Sequence, residues 1–330
     1  MNATAPRRLL GFALRIVISA GLLYLVVRKI PVASFAQSLR QVNLPLMLAS
    51  YLLIPVMGYI NANRTKIMAD IQGLTLSINQ IVRIGFITGF YSLFLPGYIA
   101  GGAIRWHRMS RHDSKPAQAF ATIVFTRFLS TIVTVMVGMA CWLMDSTARR
   151  NLGFGMGFAV LLVGLCSVHW LMFNSGRAQR LANWVVGHRR LPRSVADKLA
   201  KVLRSVDKFS AVSASRLAST VALLASSELI GILSFYLIAV AMHLELSPAG
   251  IGWVRAYVTL LALLPISIMG MGVRDGSLVV MLRTYEVAPP LAVTYSILLL
   301  SRTLVLGLLG GACELWNIMH FRLATSLRAE

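Results

Sequence analysis

The chain has 330 residues, of which 57% are hydrophobic and only 13% charged, with a mean hydropathy of +0.73. Soluble domains carry about a quarter charged residues, so these values exclude one and define a polytopic membrane protein. The formal charge of +21 then reports loop orientation and contact with anionic lipid, not nucleic acid, because no basic face is paired with a DNA- or RNA-reading motif.

The fold class follows as all-α. Backbone exposed to lipid must satisfy its own hydrogen bonds, and the apolar runs are too long for barrel strands. The runs lie near 9–27, 44–60, 76–104, 118–143, 152–173, 217–243, 254–282 and 291–318. Arg7 and Arg8 precede the first run as in a signal peptide, but Arg28 and Lys29 follow it where a small-residue cleavage site belongs. A retained span is expected. Cys141, Cys166 and Cys313 lie singly in apolar runs and read as small core residues, and the histidines have no ligand-like neighbours. The sequence therefore predicts neither a metal nor a cofactor.

The one long polar insertion, 174–216, is rich in arginine and lysine and is expected on the cytoplasmic side. Inside it, Ser194 and Asp197 resemble a capping box, and Val195, Leu199, Val202, Val206 and Phe209 recur at helical spacing among basic residues. Periodicity leaves two readings open: a basic amphipathic helix on the inner leaflet, or a surface helix packed on the bundle.

With 174–216 inside, the basic loop 105–116 is also inside. The loop around Arg64 and Lys66 falls inside too if the N-terminus does. Segment 76–104 must then enter and leave on one side, and 254–282 must do the same from the other side. Both contain proline and several glycines. The expectation is about six full spans plus two re-entrant hairpins, making eight apolar segments, with both termini cytoplasmic. Eight ordinary spans remain the alternative if one weakly charged loop is misplaced.

The two broken segments resemble each other. "LPGYIAGGAIR" (95–105) and "LPISIMGMGVR" (264–274) align Leu-Pro with Leu-Pro, Gly101 with Gly270 and Arg105 with Arg274, each 169 residues apart. Each is followed by an apolar helix with a lone arginine, Arg127 in the first and Arg302 in the second. Inverted repeats whose broken helices meet at the bilayer midplane are a transporter architecture. Repeat 1 spans about 44–173 and repeat 2 about 217–318, joined by the basic linker in a single transmembrane domain.

One arginine at the bilayer centre costs about 2.5–3.5 kcal/mol even on lenient scales, so four must face a protein-lined or wet cavity. Arg105, Arg127, Arg274 and Arg302 outnumber the nearby acids Glu228 and Asp275. A phosphate or pyrophosphate headgroup would offset that surplus through forked contacts. Gly101, Gly102, Gly270 and Gly272 would let backbone N–H groups approach the same anion. Glu228 and Asp275 would orient the arginines or carry a coupling proton. The alternative is that the arginines pair locally and only lock the bundle.

At these two blocks the chain resembles the flippase-like transmembrane domain of lysylphosphatidylglycerol synthases, over most of its length. The resemblance implies movement of a lipid between leaflets, or service to envelope glycolipid assembly, in a cell inner membrane. The second block of that family carries Glu near its arginine, where Asp275 stands here. No counterpart of the synthase's soluble aminoacyl-transfer domain is seen, so synthase activity is not implied. Nor is any catalytic triad, metal box or nucleotide loop seen, and no enzyme is expected.

The leading expectation is a translocase for an anionic phospholipid or a lipid-linked glycan precursor. The alternatives are a non-transporting accessory protein that presents such a lipid to an envelope glycosyltransferase, and a transporter of a small soluble anion. An envelope-biosynthesis enzyme and a second copy of the chain are the protein partners left open.

Overall fold

A computed structural model of the chain describes residues 42–93, 98–173, 180, 183–184, 193–263 and 273–326. Among these residues every regular element is helical. The apolar run 9–27 lies outside them, as do Gly270 and Gly272.

Helix α1 (Leu44–Ile71) starts where the Asn43 side chain accepts the Leu46 N–H at 3.4 Å, with Pro45 in the first turn. Helix α2 (Ile78–Ser92) starts at a reciprocal box between Ser77 and Gln80. Next come α3 (Tyr98–Asp113), α4 (Pro116–Met144), the short α5 (Ser146–Arg149) and α6 (Leu152–Phe173). Helix α7 (Arg193–Asp207) leads through a 3-10 turn, Lys208–Ala211, to α8 (Ala214–Ala241). Helix α9 (Pro248–Ala262) is capped by Ser247, whose hydroxyl accepts the Gly250 N–H at 2.8 Å. Helix α10 (Val273–Leu282), a 3-10 turn at Arg283–Tyr285 and the long α11 (Pro289–Ser326) complete the order.

Among the described residues five helices are long and apolar enough to cross a bilayer: α1, α4, α6, α8 and α11. The chain is therefore a multi-pass membrane protein. By contrast α2, α3, α9 and α10 have 15, 16, 15 and 10 residues. At 1.5 Å per residue each is about 15–24 Å long, short of a roughly 30 Å hydrocarbon core.

Hydrogen bonds show which helix ends lie together. At one end the Thr75 N–H donates to Asp113 Oδ2 at 2.7 Å, Lys115 Nζ donates to the Gly73 carbonyl at 2.8 Å, and Gln72 Nε2 donates to the Ser205 carbonyl at 2.7 Å. The α2–α3 pair therefore starts and finishes at this end. At the other end the Asn43 N–H donates to the Ala241 carbonyl at 3.0 Å. There the Asp145 carboxylate accepts from Ser247 Oγ at 2.6 Å and from the Tyr285 hydroxyl at 3.1 Å. The α9–α10 pair starts and finishes at this second end.

Packing follows the same division. Helices α1 and α8 pack along each other at the centre, α2 packs on α3 and α11, and α9 packs on α10 and α4. The turn after α1 also recurs 170 residues on. Leu74 N–H donates to Ala69 O and Gly73 N–H to Asp70 O, as Leu244 N–H does to Ala239 O and His243 N–H to Val240 O. Gly73 (φ 72°) and His243 (φ 57°) take the left-handed position of this cap, and Leu-X-Leu-Ser follows both.

Small residues set the close crossings, as lipid-embedded helices require when no hydrophobic force drives them together. A Cβ at Gly310 of α11 would overlap the carbonyl oxygen of Phe86 in α2, and one at Gly138 of α4 would overlap Ala256 of α9. Gly310→Ala should therefore part α2 from α11 and cost about 1–3 kcal/mol. Gly164→Ala, on an open face of α6, meets nothing within 4 Å and should not destabilise. Thermal unfolding of both variants in detergent checks the contrast.

The apolar side of the basic helix meets protein. Leu203, Val206 and Phe209 are buried, and Phe209 stacks on Phe125 of α4 with ring centres 4.1 Å apart. Of the two readings of its periodicity, packing against the bundle is the one found, with Lys201, Arg204 and Lys208 exposed on the outer side. Helix α6 exposes Leu152, Met156, Val160, Val163 and Trp170, an apolar face suited to lipid. Cys166 is exposed on the same helix and is not a core residue.

Candidate functional site: a cationic cavity

A cavity of about 550 Å³ lies between α1, α2, α3, α4, α8, α9 and α11, within the range of about 300–1,000 Å³ typical of ligand sites. Among the described residues its charged lining is Arg64 (α1), Arg105 (α3), Arg127 (α4), Arg255 (α9), Arg302 (α11) and Glu228 (α8). Hydroxyls from Thr65, Thr88, Thr126, Ser130, Thr134 and Ser227 add a polar wall.

Glu228 is the sole acid of the described lining, and it is 9% exposed. Its Oε2 accepts from Arg255 Nη1, and its Oε1 accepts from Thr134 Oγ1 at 2.9 Å. Gly231, one turn further along α8, leaves room for this pair, because a Cβ there would overlap the Arg255 guanidinium. The Arg255 guanidinium also lies 5.6 Å from the centre of the Phe235 ring, a cation–π contact that helps hold it.

Arg64, Arg105 and Arg302 are less well matched. Arg64 is 8% exposed, and its Nε has no hydrogen-bond partner. The Nε atoms of Arg105 and Arg302 are likewise buried without a partner. Arg302 Nη2 reaches the Met57 sulfur at 3.1 Å, a weak acceptor. Arg105 Nη2 passes beside Gly85 of α2, 3.7 Å from where a Cβ would stand. The N-terminal half of α3 reaches the same space through Gly101 and Gly102. A helix N-terminus favours negative charge, so it adds to the cationic field.

The two glycines differ in what they do. A Cβ on Gly101 would overlap Ser92 Oγ, so Gly101 lets α3 press against α2. Gly102 faces open space within the cavity.

Of the residues singled out from sequence, Arg105, Arg127, Arg302, Glu228, Gly101 and Gly102 come together in this cavity. Arg274 is half-buried on α10 and does not line it among the described residues. Asp275 lies in the same helix, and its side chain is outside the described residues. Among the described residues Arg105 is the eighth of α3 and Arg274 the second of α10, so the aligned arginines stand at different positions along their helices.

Two lining arginines escaped the sequence reading. Arg64 was assigned to a loop, yet α1 runs on to Ile71, and Met57, Asn61 and Arg64 share one face at helical spacing. Arg255 follows Pro248 by seven residues, or about 10 Å of helix. The Ser247-Pro248 start signal was the available clue to its depth.

Spans that enclose a buried, arginine-lined cavity define a multi-pass membrane protein with a charged interior. Residues 12–311 match the family described as the lysylphosphatidylglycerol synthase TM region, and the chain belongs to that family. It is thus a membrane protein of lipid metabolism. No curated protein and no solved structure gave a match.

Proposed function

We infer that this protein is a lipid translocase, moving a lipid with an anionic, phosphate-bearing headgroup between the leaflets of a cell inner membrane. The observation that carries this reading is a cavity whose described lining holds five arginines and one glutamate, with the Nε atoms of Arg64, Arg105 and Arg302 buried and without an acceptor. Buried unpaired charge is costly, and intramembrane ionisable groups mark substrate paths. A phosphate takes up forked guanidinium contacts in a planar geometry that only arginine offers.

An inverted repeat supports the same reading. The α2–α3 and α9–α10 pairs start from opposite ends, α1 and α8 have 28 residues each, and their closing turns match. In this reading the half-helix pairs are re-entrant hairpins, and rocking of one half against the other exposes the cavity to each leaflet in turn. Both termini are cytoplasmic, which puts the basic helix α7 on the inner leaflet side. The chain performs no bond-making chemistry; a gradient, a partner or mass action drives it.

The test is reconstitution of the purified full-length chain in liposomes containing a fluorescent anionic phospholipid. A membrane-impermeant quencher then reports the rate at which reporter reaches the outer leaflet. Wild type should exceed protein-free liposomes, and Arg127→Lys and Arg302→Lys, which keep charge but lose the fork, should each slow it. No transport by folded wild type would transfer the cavity to the accessory reading, a lipid held for an envelope glycosyltransferase.

A further inference from the structure

We propose that Arg108, Glu314 and Tyr91 form a latch that controls access to the cavity, a tie between α3 and α11 that must release for a headgroup to enter or leave. The latch deepens the translocase reading by naming what regulates the site, and it rests on that reading for the nature of the cargo.

The three residues stand outside the cavity lining. Arg108 Nη2 donates to Glu314 Oε1 at 2.6 Å, and the Tyr91 hydroxyl donates to the same oxygen at 2.9 Å. Helices α3, α2 and α11 thus meet at one carboxylate oxygen. Chain direction fixes the place. Helix α3 runs from the cavity-lining Gly101 and Arg105 to Asp113, which binds Thr75 at one end of the bundle, and Arg108 comes one turn after Arg105. Helix α11 starts after Tyr285, which binds Asp145 at the other end. Glu314 comes eight residues after the cavity-lining Leu306, or about 12 Å further along. On both helices the pair lies between the cavity and the Thr75–Asp113 end.

The joined helices differ in how closely they are seated. A Cβ at Gly310 of α11 would overlap the Phe86 carbonyl oxygen of α2, and one at Gly307 would overlap Leu93. Helices α2 and α11 therefore make one closely fitted unit. Helix α3 packs on α2 and α4 and holds α11 through Arg108, so it is the member that can shift. Arg105 and Arg108 are three residues apart on one helix face. A shift of α3 that frees Arg108 carries Arg105 with it, and so reshapes the cavity wall.

The tie is also made to open. Lasting arginine–carboxylate contacts are often forks that use both oxygens. Here both donors share Oε1, while Oε2 is buried without a partner. The Arg108 side chain is 28% exposed and that of Glu314 12%, so the released guanidinium has solvent within reach.

The experiment uses the purified full-length chain in detergent, with its three cysteines replaced by alanine and Thr303→Cys in the cavity wall as reporter. The rate of its reaction with the anionic reagent 2-sulfonatoethyl methanethiosulfonate is measured. Arg108→Gln and Glu314→Gln should each raise that rate by about tenfold, the factor that one hydrogen bond to a charged group is worth. The two substitutions change local charge in opposite senses, so a rise in both reports opening and not attraction of the reagent. Lys66→Gln, which breaks the Lys66–Asp70 pair within α1, should leave the rate unchanged. A second reporter, Ala292→Cys in the buried core, should stay unreactive in every variant. Unchanged rates, or rates that move in opposite directions, overturn the latch. A parallel rise at Ala292→Cys overturns it too, since the cluster is then a strut whose loss loosens the whole fold. Lipid transport by wild type with no rise in either variant would leave translocation standing without the latch. Raised rates in a chain that moves no lipid would keep the latch and remove translocation.

Discussion

Glu228→Gln should be among the most destabilising single changes in this protein, by about 3–5 kcal/mol, since it removes the charge of one partner from a buried ion pair. Glutamine keeps an oxygen for Thr134 Oγ1, so the loss reports the charge itself. What remains is a cavity of five arginines with no acid among the described lining. Thermal or denaturant unfolding in detergent measures the effect. The double variant Glu228→Leu with Arg255→Met should recover most of it, because replacing a buried pair with apolar groups of similar size is often close to neutral. A Glu228→Gln protein within about 1 kcal/mol of wild type would mean that solvent, not Glu228, neutralises the cavity.

Arg105→Gln should have the opposite sign on stability. Arg105 lies close enough to Arg127 for the two charges to repel, and its Nε is buried without an acceptor. Removing its charge relieves that repulsion, so the unliganded protein should unfold at the same or a higher temperature. Lipid transport should fall by about tenfold to a hundredfold, the loss of one charge-assisted contact to phosphate. Structural arginines that lock the bundle would give the reverse pattern, with unfolding temperature falling and transport following it in proportion to folded protein. The two measurements together separate a binding role from a structural one.

How much of this was legible in the sequence depended on where each charge stood. Arg127, Arg302 and Glu228 are lone charges inside long apolar runs, so hydropathy alone marks them as buried. Arg64 and Arg255 stand within about two turns of a helix end, where composition looks the same for a cavity wall and a loop. Only the caps, Asn43 for α1 and Ser247 for α9, fix how far inside they lie. Arg274 shows the converse limit. Its alignment with Arg105 is sound as sequence, but only Arg105 lines the cavity among the described residues, and spacing alone does not tell which way a helix turns its arginine. For the basic helix α7, spacing tells that one face is apolar; whether lipid or Phe125 covers that face depends on contacts more than 70 residues away in the chain.

The seating of α7 bears on how the molecule responds to bilayer thickness. Gln72 holds α7, and Phe125 the turn after it, at one end of the bundle; on the proposed cytoplasmic side the exposed Lys201, Arg204 and Lys208 would meet anionic headgroups and keep that end at a fixed height. Helices α1, α4 and α8, with 28, 29 and 28 residues, are about 42–44 Å long against a core of roughly 30 Å, so they must tilt or protrude. Any mismatch is taken up at the opposite face, where Asp145 ties Ser247 and Tyr285 together at the base of the α9–α10 pair. In the inverted-repeat topology proposed above, a thinner or thicker membrane would strain the α9–α10 pair and spare the α2–α3 pair, which would make local lipid composition a mechanical input to the cavity wall that carries Arg255.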